Sequence, residues 1–271
     1  MCGTCGCSGE AVVTLVAGEH AEPHGHGEAH WHAEHGAAGH GGHVHVVDSP
    51  DGSRTVELQE RVLARNDDLA AANRQWLRDR GIAAVNLMSS PGAGKTTLLE
   101  RTAREMSGRL AISVIEGDQE TTIDAQRIRA AGCRVVQINT GSGCHLDAAM
   151  VGRGLRALEP PDGSLVIIEN VGNLVCPGLF DLGEAARVVI GSVTEGADKP
   201  AKYPHMYRRA HLVLLSKTDL MPYLEFDAEQ YALDLRLVAP EAVLLPVSAV
   251  TGAGLLAWYD WLCGRGTSLT G

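Results

Sequence analysis

The fold is decided by nine residues that follow an apolar, strand-like run and open a helix-like one: Ser89-Ser90-Pro91-Gly92-Ala93-Gly94-Lys95-Thr96-Thr97. Backbone N–H groups of such a small-residue turn can wrap a β-phosphate at the positive end of a helix. Lys95 can reach the β- and γ-phosphate oxygens, and the Thr96 hydroxyl can ligate Mg²⁺. The stretch therefore predicts a phosphate-binding loop whose other contacts come from Ser90, Gly92, Ala93, Gly94 and Thr97. Ser89 stands where the usual pattern has its first glycine.

Composition limits the class of protein. The chain has 271 residues, 45% of them hydrophobic and 21% charged, which suits one α/β core plus a tail. A formal net charge of −10 argues against nonspecific binding to nucleic acid or anionic membranes. No apolar run approaches the roughly 20 residues that span a bilayer. We therefore expect a cytoplasmic protein with small-molecule, metal and protein partners, and seven cysteines that serve as metal or redox ligands.

The chain changes character twice. Residues 1–50 are rich in histidine and glycine and predict a disordered tail, and residues 51–271 predict one nucleotide-binding domain. Helical spacing over residues 54–80 predicts a long lead-in helix. Beyond it, helical stretches at Ile123–Ala131 and Leu146–Leu158 lie among seven β-rich runs: Ile82–Met88, Leu110–Ile115, Arg134–Ile138, Ser164–Ile168, Arg187–Val193, His211–Leu215 and Ala242–Val247. This alternation predicts an α/β P-loop fold, a mostly parallel sheet between two layers of helices.

Two loops after strands indicate the base of the nucleotide. Ser216-Lys217-Thr218-Asp219 resembles the N-K-x-D element of GTPases, in which the carboxylate corresponding to Asp219 binds the guanine edge and the stem corresponding to Lys217 covers the base. Ser216 replaces the usual Asn. The segment from Ser248 and Ala249 to Gly252 resembles the S-A-x-T-G loop, whose backbone amide meets the guanine O6. Alone, either element could be a solvated turn; together they favour GTP and disfavour an ATP-dependent, partitioning-type switch.

Acidic segments at two further strand ends complete the predicted nucleotide site. Asp118 and Glu169 could meet Mg²⁺ directly or through water, and the Gly172 amide could sense the γ-phosphate. Capping or turn chemistry is the alternative for both carboxylates. Lys95, Thr96, Asp118 and Glu169 are thus the candidate catalytic groups. The sequence assigns neither a water-orienting Gln nor an Arg finger in the same chain, so we expect slow intrinsic hydrolysis, as in a switch.

The tail carries two kinds of metal donor. Cys2, Cys5 and Cys7 form C-x-x-C-x-C, and three thiolates with the free α-amino group suit square-planar Ni²⁺. A redox pair or adventitious thiols are the alternatives. Nine histidines follow and predict metal storage, with a solubilising linker as the alternative: His20, His24, His26, His30, His32, His35, His40, His43 and His45.

A second donor set lies inside the domain. Cys144 and His145 follow a glycine-rich turn, and Cys176 comes four residues after Gly172. Three donors of one chain leave a zinc site incomplete, so two chains could share ligands at a dimer interface. Packed, inert thiols are the alternative for the Cys144 and Cys176 pair, and the better interpretation for Cys133 and Cys263.

Together the motifs resemble the HypB family, the nickel-insertion GTPases of hydrogenase maturation. The resemblance rests on Met1–Cys7, the His-rich tail, Ser90–Thr96, Glu116–Gln119, Gly143–Ala148, Glu169–Pro177 and Thr194–Pro200. It implies delivery of nickel, under control of the GTP cycle, into immature nickel–iron hydrogenase. It also implies dimerisation, a partner metallochaperone of the HypA type, and zinc or nickel at Cys144, His145 and Cys176. A urease-accessory GTPase and a nickel-storage protein with a weak or inactive GTPase site remain alternatives.

Overall fold

A computed structural model describes residues 12–15, 52–118, 122–141 and 143–267. Its strands are β1 (Val12–Leu15), β2 (Ala83–Ser89), β3 (Ile112–Asp118), β4 (Arg134–Asn139), β5 (Leu165–Glu169), β6 (Ala186–Ser192), β7 (Leu212–Ser216) and β8 (Val243–Pro246). Its α-helices are α1 (Gly52–Arg78), α2 (Lys95–Met106), α3 (Ile123–Ala130), α4 (Ala148–Leu158), α5 (Lys199–Lys202), α6 (Pro204–Tyr207), α7 (Ala228–Val238) and α8 (Leu255–Thr267). Short 3₁₀ turns cover Cys176–Gly178, Val193–Glu195 and Thr218–Tyr223.

All eight strands form one sheet in the order β1-β4-β3-β5-β2-β6-β7-β8. Seven of them are parallel, and β1 alone is antiparallel to its neighbour β4. Successive side chains of a strand point to opposite faces of the sheet. Helices cover both faces, so the central strands β2 and β5 are buried on both sides. Leu87 packs on the face covered by α2, α3 and α8, and Ala84 on the opposite face under α1 and α4. The predicted parallel sheet between two helical layers is confirmed.

The candidate functional residues of the parallel strands lie at one edge of the sheet. The carboxyl ends of parallel strands meet at the same edge, where open α/β sheets bind ligands. Asp118 and Glu169 are the last residues of β3 and β5, and Ser89 is the last residue of β2. α1 corresponds to the predicted lead-in helix, with bounds two residues earlier at each end. Of the described residues, none forms a helix long and apolar enough to cross a membrane.

One element departs from the prediction. The sequence placed residues 12–15 in the disordered tail, and this was wrong for these four residues, which pair with β4 as β1. The reason is burial on one side: Val13 packs against the core on the α4 face, while Val12 and Leu15 stay exposed. The β-branched pair at Val12 and Val13 was the signal in the sequence. The rest of the predicted tail lies outside the described residues.

Candidate nucleotide and metal site

The phosphate-binding loop joins the end of β2 to the start of α2. Gly92 and Gly94 have φ angles of 75° and 96°, a left-handed backbone that only glycine adopts without strain. The Lys95 ammonium donates to the Ser89 hydroxyl at 3.0 Å. A cavity of about 490 Å³ opens above this loop, lined by Pro91, Gly92, Ala93, Gly94, Lys95, Thr96, Thr97, Glu116, Gly117, Asp118, Asp124, Arg127, Glu169, Asn170, Gly172 and Lys217. A strand, glycine turn and helix N-terminus thus surround a space suited to phosphate groups.

Carboxylates crowd the wall of the cavity beside Thr96. The Thr96 hydroxyl lies 2.9 Å from Glu169 Oε1 and 3.1 Å from Asp124 Oδ2. Glu116 and Glu169 each also have one buried carboxylate oxygen for which the described part of the chain supplies no hydrogen-bond donor. Carboxylate oxygens are the ligands that Mg²⁺ prefers, and these two lie beside a phosphate-binding loop without a hydrogen-bond donor of their own. The residues present therefore fit a magnesium ion.

The charge state of these acids reflects their crowding. Burial and then the neighbouring carboxylates of Glu169 and Asp118 raise the pKa of Glu116 to about 9. Burial also raises the pKa of Glu169, although the Lys95 charge and the Thr96 hydrogen bond act in the opposite direction. Bringing a divalent cation among these groups would favour their ionised forms.

The predicted base-binding residues lie beside the cavity. The Ser216 hydroxyl donates to the Ala93 carbonyl at 2.7 Å, and the Lys217 ammonium donates to the Gly92 carbonyl at 2.7 Å. Ser216, which replaces the expected Asn, therefore still links the loop of residues 216–219 to the phosphate-binding loop by a hydrogen bond. The Asp219 carboxylate accepts a hydrogen bond from the Ser248 hydroxyl at 2.6 Å. Lys217 lines the cavity, whereas Asp219, Ser248 and Ala249 do not.

Cys144, His145 and Cys176 form a cluster, as the sequence suggested. The Sγ atoms of Cys144 and Cys176 are 2.9 Å apart, and Cys144 Sγ is 3.6 Å from His145 Nδ1. One donor atom from each residue lies within 4.8 Å of the others, close enough for a single ion. Burial lowers the pKa of His145 against the effect of Asp147, which favours the neutral imidazole that binds metals. Its ring stacks on Phe180, with centroids 4.0 Å apart.

The metal donors and the nucleotide cavity share one stretch of chain. Residues 170–176 begin at the end of β5 and run from the cavity wall to Cys176. The Asn170 carboxamide oxygen accepts from the Leu146 N–H at 3.1 Å, which joins this stretch to the residue after His145. A Cβ atom added to Gly172 would lie 3.3 Å from the Pro91 backbone, so the stretch passes close to the phosphate loop.

Helix α1 contacts both loops that carry the Cys144, His145 and Cys176 cluster. The Asn66 carboxamide donates to the Asp181 carbonyl at 2.7 Å and accepts from the Ala148 N–H at 2.9 Å. Asn73 donates to the Ala148 carbonyl at 2.7 Å. Arg74 donates to both carboxylate oxygens of Asp181 at 2.7 Å. Because Ala148 follows His145 and Asp181 follows Cys176, α1 fixes the relative position of the two loops.

Sequence reasoning missed four residues at this site. Asp124 and Arg127 lie on one face of the first turns of α3, where Arg127 binds Glu100 at 2.9 Å and lines the cavity. Glu116 precedes Asp118 by two residues on β3 and shares its face. Glu195 accepts a hydrogen bond from the Ser90 hydroxyl, which the sequence had assigned to phosphate binding. The local signal was the pair of Asp124 and Arg127, an acidic and a basic residue three positions apart at the start of a helix. Long-range packing brings Glu116 and Glu195 to the site.

The tail donors lie outside the described residues. These are Cys2, Cys5, Cys7, His20, His24, His26, His30, His32, His35, His40, His43 and His45. Cys133 is buried, as expected for a packed thiol, and burial raises its pKa to about 11. Cys263 is half-buried and packs beside the same core.

Fold and site together define a P-loop nucleotide-binding protein with a thiol and imidazole cluster beside its nucleotide cavity. The family described as CobW/HypB/UreG, nucleotide-binding domain, matches residues 83–246. A hydrogenase maturation factor HypB from Rhizobium leguminosarum bv. viciae is 51% identical over 231 residues, which cover 85% of this chain and 76% of the relative. The chain belongs to the HypB family.

Solved structures that resemble this chain in both fold and sequence include two HypB proteins. Hydrogenase maturation factor HypB from Archaeoglobus fulgidus superposes with a TM-score of 0.71 at 41% identity, covering 76% of this chain and all of that one. HypB from Helicobacter pylori in complex with nickel superposes with a TM-score of 0.71 at 38% identity, covering 75% of this chain and 96% of that one. The likeness therefore extends over most of the described domain.

Proposed function

We propose that this protein is a GTP-hydrolysing nickel metallochaperone that stores nickel and delivers it, under control of the GTP cycle, to the active site of immature nickel–iron hydrogenase. The observation that carries the proposal is the continuity of residues 170–176, which wall the nucleotide cavity at one end and supply Cys176 at the other. Occupancy of the cavity by a γ-phosphate would act on Gly172, four residues from a metal ligand. One segment would then report the nucleotide state to the metal site.

Nucleotide selection follows from the base-side loops. Asp219 would accept hydrogen bonds from the guanine N1–H and exocyclic amine, which adenine does not offer in that arrangement. Ser248 supports this role because its hydroxyl holds the Asp219 carboxylate in place. Lys217 is fixed by the Gly92 carbonyl, so its stem stands at the edge of the cavity.

Hydrolysis would rely on positioning and charge. Mg²⁺, when bound, neutralises phosphate charge, and Thr96, Asp118 and Glu169 would hold it directly or through water. Lys95 would contact the β- and γ-phosphates. Arg127 adds a cationic group to the cavity besides Lys95 and Lys217, but its ion pairs with Glu100 and Asp124 compete for it. We therefore keep the expectation of slow intrinsic turnover.

Nickel is the cargo in this proposal. Two thiolates and a neutral imidazole from Cys144, Cys176 and His145 suit Ni²⁺ or Zn²⁺, and a second chain could complete the coordination in a dimer. Cys2, Cys5 and Cys7 would form a tighter site and the tail histidines a reserve of lower affinity. A metallochaperone of the HypA type and the immature large subunit of the hydrogenase would be the partners.

The proposal is tested in cells that lack this protein and express a nickel–iron hydrogenase. Complementation with the unmodified protein should restore hydrogenase activity at low external nickel. Lys95→Ala and Cys176→Ser should each fail at low nickel while the protein accumulates normally. If Lys95→Ala restores activity fully, control by GTP is wrong. If Cys176→Ser restores it fully, the domain cluster has no part in delivery.

Turnover and client need separate measurements. The purified protein should hydrolyse GTP in preference to ATP, and a storage protein with an inactive site would bind nickel with no turnover. A urease-type accessory role predicts loss of urease activity, not hydrogenase activity, in the same deletion strain.

A further inference from the structure

Arg101 connects the helix of the phosphate-binding loop to the loop of residues 248–252. It lies on α2, the helix that begins at Lys95. Its Nη1 atom donates to the Ala249 carbonyl at 2.8 Å and to the Val250 carbonyl at 3.0 Å. Both acceptors belong to the segment that resembles the guanine-binding S-A-x-T-G loop. One cation therefore holds two successive peptide groups of the 248–252 loop.

The N–H groups of the same two peptide groups point to Ser248. In a planar trans peptide the C=O and N–H bonds point in opposite directions. The Val250 N–H shares a peptide group with the Ala249 carbonyl and donates to Ser248 Oγ at 3.2 Å. The Thr251 N–H donates to the same oxygen at 3.0 Å, and the Ser248 hydroxyl donates to Asp219 Oδ1 at 2.6 Å. The hydrogen bonds therefore run in one direction, from the guanidinium to the Asp219 carboxylate.

The direction of this network strengthens its last hydrogen bond. Hydrogen bonds to a charged group are stronger than neutral ones, and successive bonds that point the same way polarise one another. The charge of Arg101 draws electron density from the two carbonyls, which makes the Val250 and Thr251 N–H groups better donors. Ser248 accepts both of these bonds and so becomes a better donor to Asp219. The carboxylate that we expect to bind the guanine edge is thus fixed from α2.

Arg101 is itself held in place by two neighbouring side chains. Its Nε atom donates to Glu105 Oε1 at 2.6 Å, one turn further along α2. The Tyr259 hydroxyl, from α8, donates to the other carboxylate oxygen of Glu105 at 3.0 Å. The hydrogen bond from Arg101 lowers the pKa of Glu105, so this ion pair persists at neutral pH. The guanidinium is therefore a fixed support for the 248–252 loop, although 30% of its side-chain surface is exposed.

Gly252 lets the loop approach the guanidinium closely. A Cβ atom at Gly252 would lie 2.8 Å from Arg101 Nη2, and its φ of 87° favours glycine. The Gly252 N–H donates to the Ser248 carbonyl at 2.9 Å and closes the loop. That carbonyl shares its peptide group with the Ala249 N–H, which we expect to meet the guanine O6. The contact between Arg101 and Gly252 therefore also positions the second group that would bind the base.

We propose that Arg101 is a positioning residue that sets the guanine selectivity of the nucleotide site, by aligning both the Asp219 carboxylate and the Ala249 N–H. The inference rests on the guanine site of the proposed function and adds the residue that holds it in register. Arg101 does not line the cavity and acts through the 248–252 loop. Because α2 also carries Lys95, one helix holds the phosphate side and the base side of the site.

Nucleotide preference tests this role. The dissociation constants of GDP and ADP are measured with Mg²⁺ and the full chain, by competition against a fluorescent GDP analogue. Arg101→Ala should weaken GDP binding at least about fivefold and leave ADP binding unchanged, because adenine offers neither the O6 acceptor nor the N1–H donor. Arg104→Ala, which removes another arginine of α2 with an i,i+4 ion pair, is the matched control and should keep both constants. Equal weakening of GDP and ADP would overturn the selectivity role.

A double-mutant cycle tests the connection through Ser248. Ser248→Ala removes the hydroxyl that joins the two peptide groups to Asp219, so it should also weaken GDP binding. If Arg101 acts through this hydroxyl, the double variant should weaken GDP by clearly less than the product of the two single factors. Factors that simply multiply would overturn the connection between Arg101 and Asp219.

Amide hydrogen exchange provides a readout that needs no nucleotide. The Val250 and Thr251 amides should exchange at least about fivefold faster in Arg101→Ala than in Arg104→Ala, while the amides of β2 stay protected and show that the domain is folded. Equal exchange in the two variants would overturn Arg101 as the support of the loop.

Failure of the inference and failure of the proposed function give different results. An unmodified protein that binds GDP and ADP alike would overturn the proposed guanine site and the inference with it. An unmodified protein that prefers GDP, together with an Arg101→Ala variant that keeps this preference, would overturn the inference alone.

Discussion

The Sγ atoms of Cys144 and Cys176 lie 2.9 Å apart although 32 positions separate the two residues in the chain. Their loops follow β4 and β5, which are not neighbours in the sheet, since β3 lies between them. The contact therefore exists because each loop folds over the end of β3, where Leu146 also packs against Gly117. A Cβ atom at Gly117 would approach the Leu146 side chain to 2.8 Å, so glycine here lets the loop that carries Cys144 and His145 pack on the end of β3.

Loss of the phosphate-loop lysine should remove turnover. Lys95→Ala takes away the charge that would neutralise the β- and γ-phosphates, and we expect GTP hydrolysis to fall at least about 100-fold. Arg104→Ala, at the exposed end of the same helix, is the control and should retain normal turnover. The measurement is phosphate release at saturating GTP. Equal activity of Lys95→Ala and the control would refute the assignment of the cavity.

A change at Asp219 should alter which base is preferred. Asp219→Asn exchanges a carboxylate acceptor for an amide, so GTP affinity should fall by roughly 10- to 100-fold, the value of a hydrogen bond to a charged group. Xanthosine triphosphate, which offers an acceptor at that edge, should bind more tightly than GTP. Competition of both nucleotides against a fluorescent GDP analogue measures the ratio. Unchanged preference would place the base elsewhere.

The ion pair between Arg74 of α1 and Asp181, five residues after Cys176, should contribute to stability in a pH-dependent way. Burial alone would raise the pKa of Asp181, but hydrogen bonds from the Gly183 N–H and Arg74 lower it below its usual value. A carboxyl whose pKa is lower in the folded state stabilises the fold at pH values above its unfolded-state pKa of about 3.9. This contribution is lost as the pH falls through the folded-state pKa.

The corresponding variant is Asp181→Asn. It should reduce the free energy of unfolding by about 1 kcal/mol at pH 7, a modest figure because the pair is partly exposed. Asp162→Asn, in an exposed turn, should have no effect. Urea denaturation at pH 7 and near pH 3 compares the variants. A loss at Asp181 that persists undiminished near pH 3 would exclude ionisation as its cause.

The sequence predicted most of the fold because its signals were local. The parallel strands appear in the sequence as apolar runs because most are buried on both faces. Gly94, Lys95 and Thr96 identified the phosphate loop. β1 was missed because a four-residue strand at the edge has almost no local stability and forms only where β4 and α4 offer a surface. Its signal, two β-branched valines, was short and stood among glycines and histidines.

The candidate site was less fully predictable than the fold. Residues inside motifs, such as Glu169 and Cys176, were found because the motif fixes their place. Glu116 and Asp124 were missed because their role depends on which strand ends and helix starts meet in space. Ser216 shows the converse: it breaks the expected motif, yet its hydroxyl reaches the Ala93 carbonyl, and only the three-dimensional distance shows that the link is kept.

The continuity of residues 170–176 should couple nucleotide, metal and dimerisation. A GTP analogue that orders Gly172 would also move Cys176, so it should change metal affinity and the monomer–dimer equilibrium together. Linkage requires the reciprocal effect, a change in GTP affinity on metal binding by the same factor. We expect a factor of roughly 5 to 100, which corresponds to the usual range of coupling free energies.

Sedimentation of the protein with GTP analogue or GDP, with and without Ni²⁺ or Zn²⁺, measures this coupling. Cys144→Ala should abolish the effect of metal on dimerisation and preserve the effect of nucleotide, because it removes a donor without touching the cavity. Cys263→Ala, a change to a thiol outside the cluster, is the matched control and should behave as the unmodified protein. A dimer constant that responds to neither nucleotide nor metal would show that GTP does not control the cluster, and residues 170–176 would then join the two sites only in space.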